Sequence, residues 1–235
     1  MINLHSAFLP SSVRLVQCAL AILLTCSVSH GAEAEVLWRA DISSQPHGST
    51  EGFGPDTSIV QEGDLHYLSK KGPLQEVIFQ EAGKGAAAWV NYRSTVRFRF
   101  SENCQMIIAV KDRGLERLDA DYLWYYVAVN KTTLTTSIHH LKEKDSFEGD
   151  PRVGSDVELK SSGFPNLEPD TWITFSVDVG EKVLRVRLVL DSGEKGEWEF
   201  PVFPGTGGSR IVARAPVDIS EFVIEQLPEP VMPKE

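Results

Sequence analysis

Apolar and polar residues alternate through the C-terminal part of this chain. Between Trp172 and Gln226 it reads TWITFSVDV, KVLRVRLVL, GEWEF, SRIVARA and DISEFVIEQ, with glycines and charges between the runs. A period of two puts successive side chains on opposite faces, the mark of a half-buried strand. The same pattern, rich in β-branched and aromatic residues, predicts strands at 35–42, 57–61, 65–69, 75–80, 88–101, 105–113, 122–131, 133–140, 171–179, 183–190, 196–200, 209–214 and 217–226. Glu62-Gly63-Asp64 and Gly180-Glu181-Lys182 are hairpin turns.

So many antiparallel strands need two packed sheets. The expected fold is all-β, a two-sheet antiparallel β-sandwich over 35–227, with 228–235 as a flexible tail. Sheets of this size curve, so one layer has a face in the core and another lining a groove. One stretch departs from the pattern. Residues 141–170 are acidic and rich in Gly, Pro and Ser, and read as a long loop.

The N-terminus reads as an export signal, 1–34. Arg14 precedes an apolar stretch from Leu15 to Val28, and Ala32-x-Ala34 supplies the small residues that signal peptidase requires. Cleavage is expected after Ala34, with Ala32 the second option. The stretch falls short of the roughly 20 apolar residues of a membrane span. No later segment is apolar enough to cross. Leu24-Thr25-Cys26 has the outline of a lipobox, although Thr25 is large for its place. The expected location is periplasmic or extracellular.

Of three cysteines, Cys18 and Cys26 leave with the signal and only Cys104 stays, so the mature chain has no internal disulfide. Stability then rests on the core, which a domain of this size can supply by burying about 70% of its unfolded surface. The net charge of -10 argues against nucleic acid, which needs a basic footprint.

The C-terminal strand order is familiar. TWITFSVDV, a tight turn, VLRVRLVL, then Gly208-Ser-Arg-Ile-Val-Ala and Asp218-Ile-Ser-Glu-Phe-Val-Ile resemble the concanavalin A-like lectin/glucanase jelly roll, including laminin-G-like and 3-keto-disaccharide-hydrolase-like domains of exported bacterial proteins. Val36-Leu-Trp-Arg-Ala-Asp-Ile and the Ile59–Leu68 hairpin agree. The resemblance implies a sandwich whose concave face binds glycans.

Alternation sorts the candidate contacts. In 88–100, Val90, Tyr92, Val96, Phe98 and Phe100 form the apolar face, and Trp89, Asn91, Arg93, Arg97 and Arg99 the other. In 122–130, Leu123, Tyr125, Val127 and Val129 point inward, leaving Tyr122, Trp124, Tyr126 and Asn130 opposite. Arg185 and Arg187 oppose Leu184, Val186, Leu188 and Leu190. Rings stack on sugars and arginine forks pair with carboxylates or sulfates. The expected carbohydrate contacts are Tyr122, Trp124, Tyr126, Arg97 and Arg99, with an acidic polysaccharide the ligand if the arginines line the groove. Polar positions on a solvated convex sheet give the same alternation, so the pattern leaves both placements open.

The Glu-x-Asp-x-x-Glu strand of glucanases on this fold is absent; Glu116, Asp119 and Asp121 fall in a charged turn. Arg93-Ser94-Thr95-Val96-Arg97 and Ser137-Ile138-His139 partly match the Arg-[Ser/Thr]-Glu-x-Arg and Gln-Ile-His strands of jelly-roll alginate lyases, with Thr95 and Ser137 as departures and no third strand. That likeness implies Arg93 and Arg97 as uronate ligands and His139 as base. No metal site or cofactor is expected. Calcium is the one ion that the acidic loop (Asp145, Glu148, Asp150, Asp156, Glu158) would suit, although the spacing is not that of a known calcium loop.

The expected function is therefore an exported carbohydrate-binding sandwich. The alternatives are a polysaccharide-cleaving enzyme, whether uronate lyase or glycoside hydrolase, and a structural or protein-binding envelope domain.

Overall fold

The computed structural model describes residues 34–43, 57–71, 76–79, 89–100, 105–112, 123–140, 154–214 and 216–233. Its strands are β1 (Val36–Arg39), β2 (Thr57–Glu62), β3 (Leu65–Lys70), β4 (Glu76–Phe79), β5 (Tyr92–Phe100), β6 (Gln105–Asp112), β7 (Leu123–Asn130), β8 (Thr133–His140), β9 (Gly154–Glu158), β10 (Ile173–Val179), β11 (Val183–Leu190), β12 (Lys195–Pro201), β13 (Gly208–Arg214) and β14 (Val217–Gln226). They form two antiparallel sheets. The eight-stranded sheet runs β12-β11-β10-β5-β14-β3-β2, with β1 also on β14. The six-stranded sheet runs β4-β13-β6-β7-β8-β9. The export signal expected at 1–34 lies outside the described residues except for Ala34, and so do Cys104 and the turn at Glu116–Asp121.

The inner faces follow the period of two. From the larger sheet come Val96, Phe98, Phe100, Phe175, Val177, Leu184, Val186 and Leu188. Met106, Ile108, Val110, Tyr125, Val127 and Val129 meet them from the smaller. Each such side chain contributes about 1.5–3 kcal/mol on burial. Two buried serines between the sheets satisfy one another: Ser94 Oγ lies 2.7 Å from Ser209 Oγ, and Ser209 donates to the Ala109 carbonyl at 3.0 Å.

Three local departures have physical causes. Asn91 has φ 51°, and this left-handed residue resets the alternation before β5. Trp89 consequently packs on the core against Tyr92, while Val90 is exposed, the reverse of the sequence expectation. Second, the loop expected at 141–170 contains β9, and its Leu159, Phe164 and Leu167 are buried in the core. The backbone N–H groups of Leu159 and Leu167 donate to Thr132 and Lys131 carbonyls at 2.9 and 2.8 Å, anchoring the segment to the β7–β8 turn. An edge strand blunted by charge shows no apolar period. Third, the tail expected to be loose carries a buried side chain, Val231, beside Gly180, where a Cβ would come within 2.6 Å of the Val231 carbonyl. Arg185 Nη2 donates to the Met232 carbonyl at 3.2 Å.

Candidate functional site

The outer face of the six-stranded sheet can be read as rows from its register. Arg210, Ala109, Tyr126 and Ser137 are neighbours across β13, β6, β7 and β8. The next row holds Val212, Ile107, Ala128 and Thr135. On the other side Trp124 pairs with His139. Tyr125, Val127 and Val129 fill the core, so Trp124 and Tyr126 stand on the outer face as alternation predicts. Both rings are half-buried, and they meet edge to face at 6.3 Å between centroids. Ile107, Ala128 and Val212 form a small buried apolar cluster against Tyr126.

A β-bulge adds charge to this face. Gly208 pairs with Asp112 but Ser209 pairs with Val110, so Lys111 is the extra residue, and its φ is 55°. Without it Asp112 would follow Val110 onto the core side. With it Asp112 turns outward, and its Oδ2 lies 2.6 Å from Arg210 Nε. That N–H does not point at the oxygen, so the contact is an ion pair rather than a hydrogen bond. Arg210 reaches across Ala109, whose small side chain leaves the way clear, and donates from Nη2 to the Tyr126 hydroxyl at 3.3 Å.

The bulge is held from several directions. Lys111 Nζ donates to the Glu181 and Phe203 carbonyls, both at 2.8 Å. The Lys111 N–H donates to the Tyr92 hydroxyl at 3.1 Å, which donates onward to the Gly208 carbonyl at 2.8 Å. Burial pulls the Lys111 ammonium down to about 8, partly countered by Glu181, and pushes the Tyr92 phenol up. Gly207 lies so close that a Cβ there would run into the Lys111 backbone and sit 2.7 Å from the Asp112 nitrogen.

The arginines expected beside Trp124 and Tyr126 are on the other sheet. Arg93, Arg97 and Arg99 line the outer face of β5, where an alternating row Glu225, Arg93, Asp178, Arg185, Glu199 crosses five strands. Asp178 is buried and accepts from Arg93 Nε at 2.6 Å and from Arg187 Nη1 at 2.7 Å. That hydrogen bond raises the Arg93 pKa. Arg97 bonds Asp191 at 2.9 Å and lies over the Trp172 ring at 4.8 Å. Arg99 bonds Asp218 and Glu62 at 2.9 and 3.0 Å, over the rings of Tyr67 and Trp172. Each guanidinium is matched to carboxylate, so this face has the charge pattern of a cross-strand ladder rather than a cationic groove.

The sequence-derived set therefore divides. Trp124 and Tyr126 share one face, Arg97 and Arg99 share another, and Tyr122 lies outside the described residues. The lyase trio divides likewise, with Arg93 and Arg97 in one sheet and His139 in the other. Of the acidic loop, Asp156 and Glu158 are on edge strand β9, and Asp145, Glu148 and Asp150 lie outside the described residues. Among the described residues no group of three or more His, Cys, Asp and Glu is arranged to hold a metal ion. Sequence reading missed the Asp112–Arg210 pair, because a bulge that breaks the period has no signature in single-sequence alternation.

This sandwich is similar to solved lectin and glycosidase structures. It resembles the galectin LEC-6 of Caenorhabditis elegans at 7% identity and TM-score 0.41, covering 66% of this chain and 92% of that one. It resembles the GlcNAcα1-4Gal-releasing endo-β-galactosidase of Clostridium perfringens at 8% identity and TM-score 0.49, covering 86% and 65%. A third is the laminarinase catalytic domain of Thermotoga petrophila, at 8% identity and TM-score 0.43, covering 84% and 99%. Identity this low describes shared architecture alone. No protein-family model and no curated protein sequence matches the chain. No described helix is long and apolar enough to cross a membrane.

Proposed function

We propose that this protein is an exported carbohydrate-binding β-sandwich that holds a glycan on the outer face of its six-stranded sheet. The observation that carries the reading is the Trp124–Tyr126 pair: two half-buried rings in edge contact on one outer sheet face, with an arginine at the Tyr126 hydroxyl. Sugar rings present C–H faces that stack on aromatic rings, while their hydroxyls take polar partners. Export rests on Arg14, the Leu15–Val28 stretch and Ala32-x-Ala34.

Titration of the mature protein with a panel of oligosaccharides, followed by tryptophan fluorescence, tests the binding. Trp124→Ala is expected to weaken binding at least tenfold, since aromatic anchors cost about 2 kcal/mol or more when truncated. Full affinity in that variant sinks the site. N-terminal sequencing of the protein recovered from outside the cytoplasm is expected to begin at Glu35.

A further inference from the structure

A cleft of about 200 Å³ opens at one end of the eight-stranded sheet. Its floor is a register row in which Asp218 lies between Ser69 of β3 and Arg99 of β5. Its rim is Lys71, just past β3, and Asp170, shortly before β10. Val217 adds an apolar wall. The cleft is open to solvent: Lys71 and Asp170 are exposed, and the Asp218 and Arg99 side chains are 23% and 18% accessible. Two opposite charges therefore face one small space, and they do not use each other. Among the described residues the side chains of Lys71, Asp170 and Ser69 make no hydrogen bond or ion pair. Asp218 gives Oδ2 to Arg99 Nε at 2.9 Å and keeps Oδ1. Lys70 also lines the cleft, but it is 2% exposed and has a partner of its own. Asp170 has φ 61°, a left-handed backbone that Asp adopts more readily than most residues, and its N–H donates to the Phe100 carbonyl at 2.8 Å. That bond ties the backbone of the rim carboxylate to the end of β5.

We propose that this cleft binds a free α-amino acid, with the ligand carboxylate toward Lys71 and its ammonium toward Asp170. A lysine only donates hydrogen bonds and an ionised carboxylate only accepts them. A ligand carrying both charges satisfies both rim groups with charge-assisted bonds, the strong kind. A ligand with one charge serves one of them and meets the other with like charge. The Ser69 hydroxyl adds a donor for the ligand carboxylate, and Asp218 Oδ1 adds an acceptor for the ammonium. The volume is below the roughly 300–1,000 Å³ of sites for drug-sized ligands, which restricts the ligand to a small molecule. Val217 offers apolar surface to a short side chain. The cleft is on the other sheet from Trp124 and Tyr126, so this inference does not depend on the carbohydrate reading.

Isothermal titration of the mature protein with a panel of L-amino acids tests the inference. Propionate and ethylammonium are the controls, since each keeps one charge of alanine and lacks the other. At least one amino acid is expected to bind, and alanine at least tenfold more tightly than either control, the scale of a lost hydrogen bond to a charged group. Lys71→Met and Asp170→Asn should each weaken amino-acid binding at least tenfold. Both residues are exposed, and Asn accepts the left-handed backbone as Asp does, so both variants are expected to fold. Trp124→Ala should bind amino acids as the wild type does. The inference is overturned if no amino acid binds, if either control matches alanine, or if both rim variants keep full affinity. None of these results bears on glycan binding, and a failure of the glycan titration leaves this site standing.

Discussion

Asp112 meets Arg210 on the outer face of the six-stranded sheet only because Lys111, one residue earlier, is the extra residue of a bulge. The carboxylate position thus depends on backbone geometry that has its own supports, and these can be probed one at a time.

Removing one member of the pair leaves the other buried and uncompensated. Asp112→Ala is expected to destabilise the protein by about 3–5 kcal/mol, and Asp112→Ala/Arg210→Ala by clearly less than the sum of the single changes. Urea unfolding of the four proteins in the cycle measures this. Strict additivity would mean that the two side chains do not interact.

Gly207 is needed where the backbone passes the bulge. Gly207→Ala is expected to cost about 3 kcal/mol, the upper end of overpacking, because the obstructing atoms are backbone and cannot swing away. Gly205→Ala is the control. Its nearest neighbour would be Lys111 Cδ at 3.9 Å, an ordinary contact, and the melting temperature should stay near that of the wild type.

Lys111 gives a pH signature with a definite sign. Its folded pKa is pulled by burial from 10.5 to about 8. Between those values the unfolded chain holds a proton that the folded chain has released, so this group's contribution to stability rises with pH through that window. Below pH 8 the folded state carries the full cost of burying the charge. The stability of wild type relative to Lys111→Met should therefore increase by on the order of 3 kcal/mol from pH 8 to 10.5. Chemical denaturation at stepped pH reads the difference, and parallel curves would contradict the burial argument.

On the larger sheet, Asp178 is the node of the charged row. Asp178→Ala leaves Arg93 and Arg187 without their shared acceptor and is expected to cost about 2–3 kcal/mol, with little change in glycan affinity, since the ladder and the proposed glycan contacts are on different sheets. A loss of glycan binding in a stably folded Asp178→Ala would instead move the site to the arginine face.

Alternation in the sequence determined the sandwich. Val96, Phe98 and Phe100, Tyr125, Val127 and Val129, and Leu184, Val186 and Leu188 all face the core as a period of two requires, because each strand of a two-layer fold has one dry face. It also placed Trp124 and Tyr126 opposite that core. Alternation does not say which strand neighbours which, or in which sheet. Tertiary packing put Arg97 beside Asp191, and Arg99 beside Asp218 and Glu62, all away from the aromatic pair, turning an expected cationic groove into a matched ladder. Alternation also fails wherever one residue adopts a left-handed backbone. At Asn91 that reversed Trp89 and Val90, and at Lys111 it carried Asp112 from the core side to Arg210. A positive φ there is held by contacts distant in sequence, the Glu181 and Phe203 carbonyls, the Tyr92 hydroxyl and Gly207, and those exist only once the two sheets have packed.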